Sequence, residues 1–176
     1  LFEANALLTE VLERSFALHP ETSFTHNKAC VTDQSGHTCF HLEADQSGQS
    51  HVAIDHEASE TVLNLVLDDY CDENNLSLVH FAKLDLEGYE LSALRGWKQN
   101  LEVKKVRALY LEVMPENQAR YGLPTTAALS FLENFGYRLH LCKEQDFGLS
   151  DEAPVPLEGP CGSIPTTPFQ AKDYPE

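Results

Sequence analysis

The stretch VHFAKLDLEGYELSALRGW, residues 79–97, decides the fold of this 176-residue chain. It opens as an apolar run, passes through Lys83, Asp85 and Glu87, and continues with Leu91, Leu94, Trp97 and then Leu101 at helical spacing. A short apolar run reads as a buried strand, and the spacing of the leucines as one face of a helix over residues 89–101. A strand that runs straight into a helix is the unit of α/β folds. The flanking sequence repeats it. Residues 106–113 (VRALYLEV) read as a strand, and 124–135 as a helix with Pro124 in its first turn and Gly136 as its stop. Residues 137–142 make a last clear strand. Upstream, residues 4–18 form a helix with Asn5 as N-cap, ended by His19-Pro20. Residues 24–32 and 38–42 are strands about a turn at 33–36, and 61–67 is β-rich before a short helix ending near Asn74-Asn75. Near-continuous apolar strands alternating with helices imply a mostly parallel sheet with helices on both faces.

Composition narrows the functional classes. Twelve basic against 28 acidic residues give a net charge of −16, which repels nucleic acid and anionic lipid surfaces. No apolar run approaches the roughly 18 to 20 residues of a membrane span, and no signal segment opens the chain, so it reads as soluble and without membrane contact. The five cysteines are an odd number with no CxxC pair, which argues against a disulfide framework or a zinc site and favours reduced thiols in a cytoplasmic setting. One pairing stays open: a hairpin closed at 33–36 makes Cys30 and Cys39 cross-strand neighbours. The eight histidines form no HxH or HExxH pattern, so no metal site is expected, a carboxylate cluster of Asp85, Glu87 and Glu112 being the remaining route to an oxygen-loving ion. Six of the nine prolines fall between Pro154 and Pro175, dividing a domain at 1–143 from a tail or lid at 144–176.

In parallel α/β sheets ligands sit outside the carboxyl ends of the strands, where Glu3, Asp85, Glu87 and Glu112 all fall. The helix dipole favours carboxylates at a helix start and accounts for those, but not for Lys83. In a central strand Lys83 shares a face with Asp85 and needs a carboxylate, a ligand or an opening. A buried ion pair usually gives little net stability, so the three charges point towards function. Glu3 stands where nucleoside cofactors find a partner for ribose hydroxyls, or serves only as a first-turn carboxylate. Glu112 is either a second acid of the site or a strand-end carboxylate, and Tyr89 and Trp97 read as packing.

KLDLEGYELSALRGW, followed by VRALYLEV and FLENFGYRLHL, resembles the FkbM-type S-adenosylmethionine-dependent methyltransferases, whose hallmark is K-x-D-x-E-G, then a helix and L-x-G. Residues 1–5 (LFEAN) resemble the family's F-E-P-N, with Ala4 in place of proline; residues 28–33 resemble its third strand and turn, and 66–70 (VLDDY) its L-D-D-Y segment. The resemblance covers residues 1–142. It implies a Rossmann-like class I sheet in the order 3-2-1-4-5, continued by 7 and 6, and hence that the first strand and its glycine-rich loop are missing ahead of Leu1. It also implies S-adenosylmethionine as cofactor, with Glu3 on the ribose and Ala29, Cys30 and Asp33 flanking the adenine. Asp85 and Glu87 would position the donor's amino acid end or the acceptor hydroxyl, Lys83 would orient them, and Glu112 would lie near the acceptor. The expected reaction is O-methylation of a hydroxyl on a small molecule or sugar. A nicotinamide-dependent oxidoreductase, which could use Glu3 equally well, and a noncatalytic methyltransferase-like remnant are the alternatives.

Overall fold

The computed structural model describes residues 1–43, 47–54, 58–142 and 166–173. The chain forms two compact units, Leu1–Ala128 and Leu129–Glu176. In the first, Phe2 makes a single parallel bridge to Asn27. Asn5 then caps the following turn: its side chain accepts the Leu7 N–H at 2.9 Å, starting a 3-10 turn (Ala6–Leu8) that leads into α1 (Thr9–Ala17). Strands β1 (Cys30–Thr32), β2 (Gly36–His41), β3 (His51–Val52) and β4 (Glu60–Val66) form one sheet in the order β1-β4-β2-β3. A second, parallel pair is β5 (Ala82–Leu84) with β6 (Leu109–Leu111), extended by a bridge between Val79 and Val106.

The larger sheet is mixed, not mostly parallel: β1 runs parallel to β4, while β2 is antiparallel to both β4 and β3. The turn at 33–36 reverses the chain, but β2 does not fold back onto β1, because β4 lies between them. Cys30 therefore sits opposite Asn64 and Cys39 opposite Thr61. The hairpin on which a Cys30–Cys39 pairing depended does not form, and both thiols are free. The core of this sheet is Cys30, Phe40, Val52 and Val62, with Ala4, Leu42, Tyr89 and Tyr121 packed against it.

The helix expected at 89–101 is two helices, α3 (Glu90–Arg95) and α4 (Lys98–Glu102). Its apolar face is as read, since Leu91, Leu94, Trp97 and Leu101 are all buried. The break at Gly96 has a tertiary cause in α2 (Leu67–Glu73). The Asp68 N–H donates to the Gly96 carbonyl at 2.8 Å, and its buried carboxylate accepts from the N–H groups of Gln99 (2.8 Å) and Asn100 (3.0 Å) and from Asn100 Nδ2 (2.6 Å). Asp68 thus supplies, from a distant segment, the acceptor that the first turn of α4 lacks. Gly96 is required by contact: a Cβ there would lie 2.1 Å from the Thr32 carbonyl oxygen.

Helix α5 (Pro115–Arg120), with proline in its first turn, is an element the sequence pattern does not announce. The unit boundary falls within α6 (Ala127–Asn134), which Gly136 ends as expected. In the second unit β7 (Leu139–Cys142) pairs antiparallel with β8 (Thr166–Phe169), Pro168 opposite His140, and a turn at Ala171–Asp173 follows. Part of the proline-rich tail therefore forms a strand; residues 143–165 lie outside the described residues. Among the described residues no helix is long and apolar enough to cross a membrane.

Asp68→Ala strands three donors, so urea unfolding should show a loss of about 2–4 kcal/mol. Asp69→Ala, at the exposed neighbouring position, should cost about 1 kcal/mol or less. Equal losses for the two would contradict the capping role of Asp68.

Candidate functional site

The parallel pairing of β5 with β6 sets Leu84 opposite Leu111, so the next residue on each strand, Asp85 and Glu112, emerges at neighbouring carboxyl ends. The Glu112 N–H donates to the Leu84 carbonyl at 3.1 Å. Lys83 Nζ lies 2.7 Å from Asp85 Oδ2, and that hydrogen bond raises the Lys83 pKa above its ordinary value. The lysine does have a carboxylate partner, but not in an interior: the two side chains are 53% and 39% exposed. The central, buried position expected for Lys83 is corrected by the pairing, since among the described residues β5 has β6 as its one strand neighbour. An ion pair this open to water contributes little to stability.

Beyond Asp85 the backbone turns sharply. Glu87 adopts φ +52°, in the left-handed region uncommon for residues with a side chain, and Gly88 has φ +97°. A Cβ on Gly88 would lie 2.3 Å from the Asn117 carbonyl oxygen, so the turn is wedged against α5. Glu87 Oε2 accepts from Asn117 Nδ2 at 2.6 Å, and its carbonyl accepts a long bond from Arg120 at 3.4 Å. Burial, then the charges of Asp85 and Glu112, push the Glu87 carboxyl above the usual carboxylate range, with the Asn117 hydrogen bond opposing them.

The sequence reading missed the residue that holds this turn. Glu90, 1% exposed, accepts through Oε1 from the N–H groups of Leu86 (3.0 Å) and Gly88 (3.3 Å), and through Oε2 from Gln118 Nε2 (2.6 Å). Burial raises its pKa although each of these hydrogen bonds acts to lower it. Among the described residues the fully buried Gln118 leaves its Oε1 without a hydrogen-bond partner. A protonated Glu90 would donate to that oxygen once the Gln118 amide is turned end for end. The available signal was a charged residue directly beside Leu91 on the face that packs inward.

Asp85, Glu87, Glu112, Met114 and Asn117 border a recess of about 10 Å³, the space of one water. A larger cavity of about 430 Å³ lies beside the end of β1, α3 and the end of α5, lined by Asp33, Ile54, Tyr89, Leu91, Ser92, Arg95, Arg120, Tyr121 and Leu123. Asp33 Oδ1 accepts the Ser92 hydroxyl at 2.9 Å. The Tyr121 hydroxyl donates to the Val52 carbonyl at 2.9 Å, and its ring meets Tyr89 edge-on at 5.1 Å. Tyr89 thus packs against the core and also lines a cavity, whereas Trp97 is buried.

The other candidates lie in or just before β1 and beside the Phe2–Asn27 bridge. Glu3 Oε1 accepts the Asn5 N–H at 2.7 Å, the first-turn role, while its second oxygen makes no hydrogen bond among the described residues. Ala29 and Cys30 are buried, so what they can offer a ligand is backbone. Burial, with a smaller push from the Glu3 charge, moves the Cys30 thiol up to about 12, so it stays protonated. The structure therefore gathers Lys83, Asp85, Glu87 and Glu112 at one turn, sets Glu3 near Cys30, and puts Asp33 on the wall of the larger cavity. Among the described residues no three His, Cys, Asp or Glu side chains are arranged to hold a metal ion.

A charged turn at the carboxyl ends of parallel strands is where α/β sheets bind their ligands. The chain belongs to the FkbM methyltransferase family: the family model of the methyltransferase FkbM domain matches residues 1–139. No curated protein and no solved structure matches it. The resemblance carried by K-x-D-x-E-G is thereby established, and the family implies methyltransferase chemistry with S-adenosylmethionine.

Because burial raises the folded pKa of Glu90 above its unfolded value of about 4.3, its neutral form favours the fold. That stability is fully present below the unfolded pKa and is lost as pH rises through the folded one. Glu90→Gln, which keeps the shape without the charge, should match or exceed the parent stability at neutral pH and flatten the stability profile above about pH 4.5. Glu90→Ala strands three donors and should cost about 3 kcal/mol or more. Unfolding curves across that pH range check this; identical pH profiles for the parent and Glu90→Gln would contradict it.

Proposed function

We propose that this chain is an S-adenosylmethionine-dependent O-methyltransferase of the Rossmann-like class I type, acting on a hydroxyl of a small molecule or sugar. The observation that carries the reading is the meeting of Asp85, Glu87 and Glu112 at the carboxyl ends of β5 and β6, in a chain of this family. The residues fit the cofactor. Glu3, with one oxygen unengaged among the described residues, is an acceptor suited to ribose hydroxyls, and Asp33 with the backbone of residues 29–33 would flank the adenine. When bound, S-adenosylmethionine supplies an electrophilic methyl group on a sulfonium.

The chain's own residues handle orientation and the proton. Glu87, its pKa raised by burial and by the neighbouring carboxylates, is suited to take a proton from an acceptor hydroxyl at its carboxylate oxygen. General base assistance of this kind is worth about 100 to 10,000-fold. Asp85, held by Lys83 at 2.7 Å, would bind the donor's amino group, with Glu112 beside it as the second acid. Glu90 fixes the turn from which Asp85 and Glu87 project. Positioning of reactants can supply roughly 7–11 kcal/mol of a barrier, so rigidity here matters to rate.

Calorimetric titration should give binding of S-adenosylmethionine and none of NAD, with Glu3→Gln weakening the former about tenfold. Release of S-adenosylhomocysteine against an array of sugar and phenolic hydroxyls reads turnover. Glu87→Gln should lower kcat about 100-fold or more while the donor still binds. Binding of NAD alone would favour an oxidoreductase, binding of neither a noncatalytic remnant, and unchanged turnover in both Asp85→Asn and Glu87→Gln would remove the assigned roles.

A further inference from the structure

Two of the chain's five arginines, Arg95 and Arg120, come from the last turns of α3 and α5 and line the same cavity of about 430 Å³. A helix dipole accounts for one cation at each helix end, but not for both facing one space, where like charges repel. Arg95 makes no hydrogen bond or ion pair among the described residues. Arg120 reaches the Glu87 carbonyl at 3.4 Å and the Tyr121 side chain, and the Glu87 carboxylate feels its charge. The carboxylate on this wall, Asp33, is already engaged through Oδ1 by Ser92. Among the described residues this wall sets two exposed arginines against one carboxylate, in a chain of net charge −16. Guanidinium groups recognise phosphate and carboxylate through paired, charge-assisted hydrogen bonds.

The rest of the wall suits a ring. Tyr89 and Tyr121 present aromatic surface, the latter fixed by its bond to Val52, and Ile54 and Leu123 add apolar contact. The volume is in the range of small-molecule sites. Tyr89 directly follows Gly88, and Arg120 touches the Glu87 carbonyl, so the cavity adjoins the acidic turn. We infer that this cavity binds a ring-bearing acceptor through an anionic group, a phosphate or carboxylate, held between Arg95 and Arg120. That the ligand is the methyl acceptor rests on the methyltransferase reading and requires the adenine to meet Asp33 from outside this cavity; that it is an anion rests on the arginines.

The test is titration of the chain with phenyl phosphate, benzoate and phenol, followed by calorimetry. At least one anion should bind about tenfold or more tighter than phenol, the tighter of the two identifying the group. Arg95→Gln and Arg120→Gln should each weaken that anion about tenfold with unchanged circular dichroism, and Arg95→Lys should recover part of the loss. Phenol binding as tightly as the anions, or anion binding indifferent to both glutamine variants, overturns the site. Displacement of the anion by S-adenosylmethionine overturns its assignment to the acceptor. The two readings fail separately. A chain that binds phenyl phosphate through the arginines but not S-adenosylmethionine loses the methyltransferase reading and keeps the anion site; one that binds the donor and ignores both anions loses the anion site alone.

Discussion

One buried carboxylate holds the site together. The turn between β5 and α3 leaves the N–H groups of Leu86 and Gly88 without partners in any regular element, and buried donors of that kind must be satisfied. Glu90 accepts both through one oxygen, and its other oxygen ties Gln118 of α5 to the same point. Asn117, the neighbour of Gln118, then meets Glu87 through its side chain and Gly88 through its backbone. The left-handed conformation of Glu87, of a kind that costs about 1–3 kcal/mol, persists because the surrounding contacts leave it no alternative.

Asp68 repeats the device on the other side of α3. Its carboxylate takes the leading N–H groups of α4, and its own N–H takes the Gly96 carbonyl, so the break between the two helices is satisfied at both ends. In both cases a buried acid is offset by N–H groups rather than by a cation. A chain with 12 basic residues against 28 acidic ones has few cations to place inside, and oriented N–H dipoles serve where desolvating a lysine would be costly. Among the described residues no lysine or arginine is buried: Lys83 sits on Asp85 at the surface, and Arg95 and Arg120 on the cavity wall.

Much of this was legible in the residues. The Asn5 cap, the short helix ending at Asn74 and the inward face of Leu91, Leu94, Trp97 and Leu101 follow from local chemistry and spacing, and they stand in the structure. Asp85 and Glu112 stand at strand carboxyl ends because apolar runs end where charge begins. Glu90 and Gln118 were not legible, because a carboxylate buried against backbone donors has the same letter as one in solvent. Arg120 ends a helix that the sequence pattern does not announce, and its convergence with Arg95 has no trace in a sequence separation of 25 residues.

The sequence by itself determined the family, the alternation of strands with helices, and the charged turn after residues 79–84, since each depends on local periodicity and a contiguous motif. Only the tertiary structure decided which strands are neighbours. A turn at 33–36 satisfies either a hairpin or an insertion, and the choice of β4 as the strand between β1 and β2 is made by long-range pairing that no local pattern encodes. It likewise decided that a continuous apolar helix face belongs to two helices, because the acceptor that ends one and begins the other arrives from Asp68, in a separate helix.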